Sequence, residues 1–175
     1  PMIPLLGAAS IRREEQDASP AGGMPSLLLQ VHAALGALAL IPPREPIHVL
    51  AGPGNNGGDA LTLARLARLR GERVDVWTMT PRPLWKGDAA TQAALWEGLG
   101  GGYRFAPEPR AVLPGLRGWV VDGLFGLGVH LPLGGLEAAW VEVLQAFLQD
   151  CGKDSPFRVL ALDLPSGLDP GSPEV

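Results

Sequence analysis

The chain has 175 residues, of which 46% are hydrophobic and 18% are charged, and its formal net charge is −4. Such a chain suits one domain that is large enough to bury a core. It lacks the basic surface of a nucleic-acid-binding protein, and no apolar run reaches the ~18 residues of a membrane span, so we expect neither partner. A single cysteine, Cys151, rules out an internal disulfide and indicates a reducing compartment, which we take to be the cytoplasm.

The first half of the chain alternates apolar strand patterns with helical ones. Residues 1–9 show no clear pattern, and we expect them to be partly disordered. Proline and glycine punctuate the rest, with Gly71 in the position expected for a helix C-cap. The predicted elements are a helix at 11–17, a helix at 27–40, a strand at 47–51, a helix at 58–70, a strand at 73–79 and a helix at 83–98.

The second half continues the alternation. It predicts a short strand at 103–106, a loop or weak helix at 107–118, a strand at 119–124, a glycine-rich loop at 125–135, a helix at 136–149 and a strand at 158–164. This order predicts a three-layer α/β/α fold with a doubly wound, mainly parallel sheet. We expect a single domain over residues 1–175. Doubly wound sheets usually have more strands, so we also expect the natural protein to continue.

A glycine-rich turn joins the strand at 47–51 to the helix that follows it. Gly52, Gly54 and Gly57 fit the spacing G-x-G-x-x-G, and a helix start favours anions such as phosphate. A nicotinamide dehydrogenase would carry an acid at the end of the next strand, but Asp75 lies in mid-strand. Without a ligand, the same residues would form only a tight turn. We favour a small-molecule site for a phosphate-bearing ligand.

Two other strands end in polar residues. Asp122 belongs to the strand at 119–124, and Asp163 is predicted within the strand at 158–164, shortly before Ser166. Ligands of open α/β sheets bind beyond the carboxyl ends of the strands, where these groups and the amides of the turn meet. A carboxylate in an apolar strand is costly unless it is paired or liganded. The oxygens suit a hard cation rather than zinc, and the chemistry leaves potassium and magnesium open.

Three motifs together resemble a known family. Ala51-Gly-Pro-Gly-Asn-Asn-Gly-Gly-Asp59, then Val121-Asp-Gly-Leu-Phe-Gly-Leu-Gly128 with Pro132-Leu-Gly-Gly135, and Leu162-Asp-Leu-Pro-Ser-Gly-Leu-Asp169 resemble the signatures of NAD(P)H-hydrate epimerases, the YjeF N-terminal domain family. The resemblance covers roughly residues 45–170. It implies a Rossmann-like fold, a potassium ion in the site, and interconversion of the R and S forms of hydrated NADH and NADPH, a metabolite-repair reaction.

Roles carried over by motif are assigned to single residues. The resemblance implies that Asn56, Asp122 and Ser166 are ligands of the potassium ion. Asp163 is the candidate for proton transfer in catalysis, with Asp122 as the second choice. The substrate-binding positions are Asn55, Asn56, Gly57, Gly58, Asp59, Gly126, Leu127, Gly128, Val129, His130, Leu131, Pro132 and Asp163.

Two stretches depart from the family pattern. The glycine turn ends in Asp59-Ala60 where Gly-Asp-Gly is typical, and Gln30-Val31-His32-Ala33-Ala34 replaces Met-Glu-Asn-Ala-Gly. These departures keep open a non-catalytic nucleotide-binding or scaffold protein on the same fold, besides the less favoured dehydrogenase. The resemblance implies a dehydratase, fused or separate, as functional partner. We also expect that the chain can form a homodimer.

Overall fold

The computed structural model describes residues 25–81, 83–127, 133–149 and 155–168. The described strands are β1 (Ile47–Ala51), β2 (Val74–Thr78), β3 (Tyr103–Phe105), β4 (Gly118–Gly123) and β5 (Phe157–Ala161). The helices are α1 (Ser26–Ala39), α2 (Asn55–Leu69), α3 (Gly87–Gly98), α4 (Pro109–Val112) and α5 (Gly135–Gln149), and a 3-10 turn spans Leu113–Gly115.

The strands form one parallel sheet in the order β3-β2-β1-β4-β5. A helix joins each described strand to the next one along the chain, and because all the strands are parallel, all five carboxyl ends lie at the same edge. Ala51 at the end of β1 is in register with Thr78 of β2 and with Gly123 of β4. The strand order reverses between β1 and β4, which is where doubly wound sheets bind ligands. The fold confirms the predicted α/β class with a doubly wound parallel sheet.

Two hydrophobic layers cover the two faces of the sheet. Val49 of β1 packs on one face with residues of α1, α2 and α3, among them the fully buried Trp96. Its neighbour Leu50 points to the opposite face, where Trp140 and Leu144 of α5 cover it. Alternate residues of a strand face opposite sides, so a continuous apolar run fits a sheet that is covered on both faces. Burying each large side chain contributes about 1.5–3 kcal/mol.

Several predicted boundaries are wrong. Helix α2 begins at Asn55 rather than residue 58, directly after the extended Gly54. Helix α3 begins at Gly87 rather than residue 83, after an extended Lys86. Strand β5 ends at Ala161 rather than residue 164, so Asp163 lies beyond the strand. The predictions for residues 1–9 and 11–17 concern parts of the chain outside the described residues.

No helix within the described ranges is long and apolar enough to cross a lipid bilayer.

Candidate functional site

The glycine turn is packed tightly against the end of β4. The Gly52 N–H donates a hydrogen bond to the Gly123 carbonyl over 3.0 Å. A Cβ atom on Gly52 would lie 1.7 Å from the carbonyl oxygen of Leu124, and one on Gly57 would lie 1.9 Å from the carbonyl oxygen of Gly52. The Trp85 indole N–H also donates to the Gly52 carbonyl, over 2.8 Å. The glycines therefore allow contacts between backbones that no larger residue permits.

Asp122 lies at the carboxyl end of β4 with none of its surface exposed. Its Oδ2 accepts a hydrogen bond from the Ser166 N–H over 2.7 Å, and its Oδ1 accepts from the Ser166 hydroxyl over 2.6 Å. The Leu124 N–H also donates to Oδ1, over 3.2 Å. One carboxylate thus fastens the loop after β5 to the end of β4, and both of its oxygens are already hydrogen-bonded.

Asn56 reaches the same place from the first turn of α2. Its Nδ2 donates to the Phe125 carbonyl over 3.0 Å, while the Ser166 Oγ lies 3.3 Å from that carbonyl oxygen and accepts from the Phe125 N–H over 3.0 Å. The structure therefore brings together Asn56, Asp122, Ser166 and the Phe125 carbonyl, which we name the polar cluster. Asn56, Asp122 and Ser166 belong to three segments that are far apart in sequence, and all three are buried.

A cation at the polar cluster would offset the cost of burying the charged form of Asp122. Burial raises the pKa of the Asp122 carboxyl, and hydrogen bonds from Ser166 and Leu124 partly offset that rise. No lysine, arginine or histidine of the described residues forms an ion pair with Asp122. The Asn56 Oδ1 is also buried, and no atom of the described residues donates a hydrogen bond to it.

The donor set of the polar cluster fits a hard cation. It consists of amide, carboxylate, hydroxyl and backbone carbonyl oxygens, which are the donors that such ions prefer. The orphaned Asn56 Oδ1 supplies an oxygen that nothing described satisfies. In the same ranges, no group of three or more His, Cys, Asp and Glu side chains could hold a metal ion, so the fit rests on neutral oxygens around one carboxylate.

Asp163 joins the loop after β5 to the loop after β4. Its Oδ2 accepts a hydrogen bond from the Leu127 N–H over 2.7 Å, and a Cβ atom on Gly126 would lie 2.2 Å from that oxygen. Asp163 is exposed and has a φ of 64°, a left-handed conformation that is uncommon for residues other than glycine. The expectation of a strand-embedded acid is therefore wrong: Asp163 stands at the open edge of the sheet, where solvent reaches it.

The other predicted substrate-binding residues divide into four groups. Asn55 is exposed and Asp59 is partly exposed, both within the first two turns of α2. Gly57 and Gly58 are buried and permit close packing. Leu127 is 8% exposed and lies beside Asp163. The remaining five, Gly128, Val129, His130, Leu131 and Pro132, lie outside the described residues.

Gln30, which belongs to the stretch that differs from the family pattern, packs behind the glycine turn. A Cβ atom on Gly58 would lie 2.9 Å from Ala89 of α3 and 3.2 Å from the Gln30 Nε2. The buried Gln92 donates from Nε2 to the Gln30 Oε1 over 3.3 Å. His32 is exposed on α1. Gln30 thus fills the interface between α1, α2 and α3, so its difference from the family pattern changes packing behind the turn.

A cleft of about 420 Å³ opens beside the turn, at the carboxyl ends of β1 and β2. The sequence pattern predicts a helix from residue 83, and sequence reasoning therefore missed this cleft, whose wall includes residues before the observed helix start at Gly87. It missed the Trp85 hydrogen bond for the same reason, and the Phe125 carbonyl because a backbone atom leaves no sequence signal. The residues that line the cleft are Ala51, Gly52, Pro53, Met79, Thr80, Pro83, Leu84, Leu136 and Glu137.

Comparison with known proteins places these features in context. A family model described as the N-terminus of YjeF-related proteins matches residues 29–175. A protein of Achromobacter xylosoxidans named NAD(P)H-hydrate epimerase is 39% identical over 173 residues, covering 99% of this chain and 77% of that protein. One of the same name from Rhodopirellula baltica is 36% identical, covering 95% of this chain and 66% of that protein.

Two further comparisons concern a longer protein and a solved structure. The bifunctional NAD(P)H-hydrate repair enzyme Nnr of Gloeobacter violaceus is 38% identical over 170 residues, covering 94% of this chain but only 31% of that protein. The crystal structure of yeast ynu0 (YNL200c) superposes with a TM-score of 0.72 at 20% identity, covering 94% of this chain and 72% of the other. At that identity the likeness concerns the fold alone.

Proposed function

This chain belongs to the family of YjeF-related N-terminal domains, and we propose that it is an epimerase that interconverts the R and S forms of hydrated NADH and NADPH. The family match confirms the resemblance inferred from the three motifs. The proposal is carried by one structural observation, the buried polar cluster beside an open carboxylate and a glycine turn at the switch point of the sheet. Relatives named as epimerases supply the identity of the substrate.

The proposed chemistry takes place at one carbon of the reduced nicotinamide ring. The hydroxyl on the carbon beside the ring nitrogen leaves with its bonding electrons, the nitrogen lone pair forms a double bond to that carbon, and water then adds from the other face. An acid must protonate the departing hydroxyl and a base must deprotonate the incoming water; a carboxyl group that has given up its proton in the first step can accept one in the second, directly or through a water molecule. The proton count balances, and no oxidant or reductant is needed.

Asp163 is the proposed proton carrier. Asp163 is an exposed residue, whereas Asp122 is fully buried and both of its carboxylate oxygens accept hydrogen bonds. A group that touches a reacting atom must be accessible to it, which favours Asp163 over Asp122. The Leu127 N–H fixes one oxygen of Asp163 and so orients the carboxylate. Asp122 instead holds the two loops in register.

We also propose potassium as the resident ion of the polar cluster. The Asn56 Oδ1, the Asp122 carboxylate, the Ser166 hydroxyl and the Phe125 carbonyl would hold it. The bound ion would supply positive charge near the buried carboxylate and near an anionic substrate. A separate or fused dehydratase that consumes one epimer is the proposed partner, in keeping with the bifunctional name of one relative. The proposed location is the cytoplasm.

The proposed function is tested by following the equilibration of chemically prepared epimer mixtures, with a dehydratase as a second reporter. We expect wild-type protein to speed equilibration well above the spontaneous rate. Asp163→Asn should keep the fold and lose roughly 100-fold or more in rate, the usual scale for loss of a general acid or base. Glu108→Gln removes a charge at another exposed carboxylate and should not change the rate.

Three outcomes would each contradict a different part of this proposal: catalysis, the class of reaction, or the role of Asp163. If the wild-type protein gives no acceleration but binds the dinucleotide, the chain is a binding protein on the same fold. Oxidation of a hydroxy substrate coupled to NAD reduction would indicate the dehydrogenase instead. Near-normal turnover by Asp163→Asn would leave the epimerase in place and move the proton transfer to another group.

A further inference from the structure

We propose that the cleft at the carboxyl ends of β1 and β2 is the adenine subsite, which receives the half of the dinucleotide that does not react. This inference rests on the proposed function, since it concerns how the same substrate is held. The cleft lies next to the glycine turn and contains Gly52 and Pro53 of that turn in its wall. It therefore adjoins the route that a ligand anchored at the turn would follow.

The positions of the two sites along the edge of the sheet support this assignment. The sheet order is β3-β2-β1-β4-β5, with the polar cluster at the ends of β4 and β5 and the cleft at the ends of β1 and β2. The start of α2 lies between them, at the switch point. A dinucleotide in such a sheet places its pyrophosphate at the helix start and one nucleoside on either side. If the hydrated ring lies beside Asp163, the adenine must lie over β1 and β2.

The chemistry of the cleft walls fits a flat base rather than a charged group. Most of the described lining side chains are apolar, including Met79, Leu84 and Leu136, and Glu137 is the one charged side chain among them. A second phosphate would meet that carboxylate, whereas an adenine amino group or a sugar hydroxyl can donate to it. About 420 Å³ falls within the range of small-molecule sites, and it is larger than a purine needs.

Two exposed residues form the rim of the cleft. Leu84 is 87% exposed, the highest value among the exposed large hydrophobic residues of the described chain. Thr80 follows the end of β2, where dinucleotide-binding folds often carry the acid that contacts the sugar. The Thr78 hydroxyl donates to the Thr80 carbonyl over 2.8 Å and so fixes the turn. An adenine stacked against Leu84 would cover apolar surface, and the Thr80 hydroxyl could bond a sugar hydroxyl.

The first experiment measures binding by calorimetry with AMP and nicotinamide mononucleotide as separate probes. We expect Leu84→Glu, which brings a charge to the rim, and Thr80→Trp, which fills the cleft, each to weaken AMP binding at least tenfold. Both variants should leave the binding of nicotinamide mononucleotide unchanged. Leu69→Glu makes the same substitution at an exposed leucine at the far end of α2 and should change neither. Both rim residues are exposed, so the variants should fold.

The second experiment compares hydrated NADH with the hydrated reduced mononucleotide as substrates. The two rim variants should raise KM for the dinucleotide at least tenfold with kcat within about twofold, and should leave the mononucleotide rate unchanged. AMP that fails to bind wild-type protein, or binds the variants equally well, would overturn the subsite. The subsite would also be overturned if the two rim variants lost activity equally on hydrated NADH and on the hydrated reduced mononucleotide. A chain that binds AMP in this way but does not epimerise would overturn only the proposed function.

Discussion

A single methyl group on Gly52 should disrupt the site, because the glycine turn and β4 touch through their backbones. The Cβ of Gly52→Ala would lie 1.7 Å from the Leu124 carbonyl oxygen, whereas Cβ contacts under 3.0 Å essentially never occur, so the two segments must separate by more than 1 Å. Overpacking of this kind costs about 1–3 kcal/mol in unfolding free energy. For a chain of this length, that lowers the unfolding temperature by about 2–4 °C per kcal/mol.

The functional consequence of Gly52→Ala should exceed the stability loss. Leu124 and Phe125 directly follow Asp122, and the Phe125 carbonyl is part of the polar cluster, so moving them displaces the oxygens around Asn56. We expect epimerase kcat/KM to fall at least tenfold at a temperature where the variant is still folded. Gly36→Ala is the matched control. It lies on α1 with nothing within 4 Å of its new Cβ, and should raise stability by about 0.5–1 kcal/mol. A Gly52→Ala variant with wild-type unfolding temperature and rate would refute the reasoning.

Two further predictions concern the turn and the ion. Trp85→Phe keeps an aromatic ring but leaves the buried Gly52 carbonyl without its indole donor, so calorimetry should show a loss of about 1–3 kcal/mol, and unchanged stability would mean that water replaces the indole. Potassium chloride at 100 times its dissociation constant should stabilise wild-type protein by about 2.7 kcal/mol in thermal unfolding. Tetramethylammonium chloride should not stabilise the wild-type protein, and potassium chloride should not stabilise the Asn56→Leu variant. Equal stabilisation of the wild-type protein by the two salts would contradict a potassium site.

The strands of the sheet could be predicted because each is a short apolar run between glycine or proline signals. The strand at 47–51 agrees with β1 at both ends, since Pro46 precedes it and Gly52 follows. Helix α2 was predicted to begin three residues too late, at Gly58. Its first turn contains Asn55, Asn56 and two glycines, whose weak helix propensity hides a helix that packing stabilises.

The sequence predicted which side chains meet in the polar cluster, but it did not predict the backbone atoms that meet them there. Parallel strands bring their carboxyl ends to one edge, so Asp122 and the residues after β5 could be expected to meet. The Phe125 carbonyl and the packing of Gly52 depend on which backbone atoms come within 3 Å, and no residue pattern encodes that distance. The cleft was missed because the run at Pro83 is apolar, and an exposed apolar segment resembles the buried face of a helix.

Asp163 shows how a sequence argument can rest on the wrong local structure. Beside the motif resemblance, the argument from the residues assumed that Asp163 lies within an apolar strand, where an acid must face a polar cleft to offset the cost of its burial. The residue is exposed instead and holds a left-handed backbone angle, a conformation that costs of order 1 kcal/mol or more for a residue other than glycine. The Leu127 N–H, 36 residues away in sequence, helps to hold it there. Strain kept in place by a contact between two loops suggests a role at the site, whereas burial within a strand would have suggested only a cost.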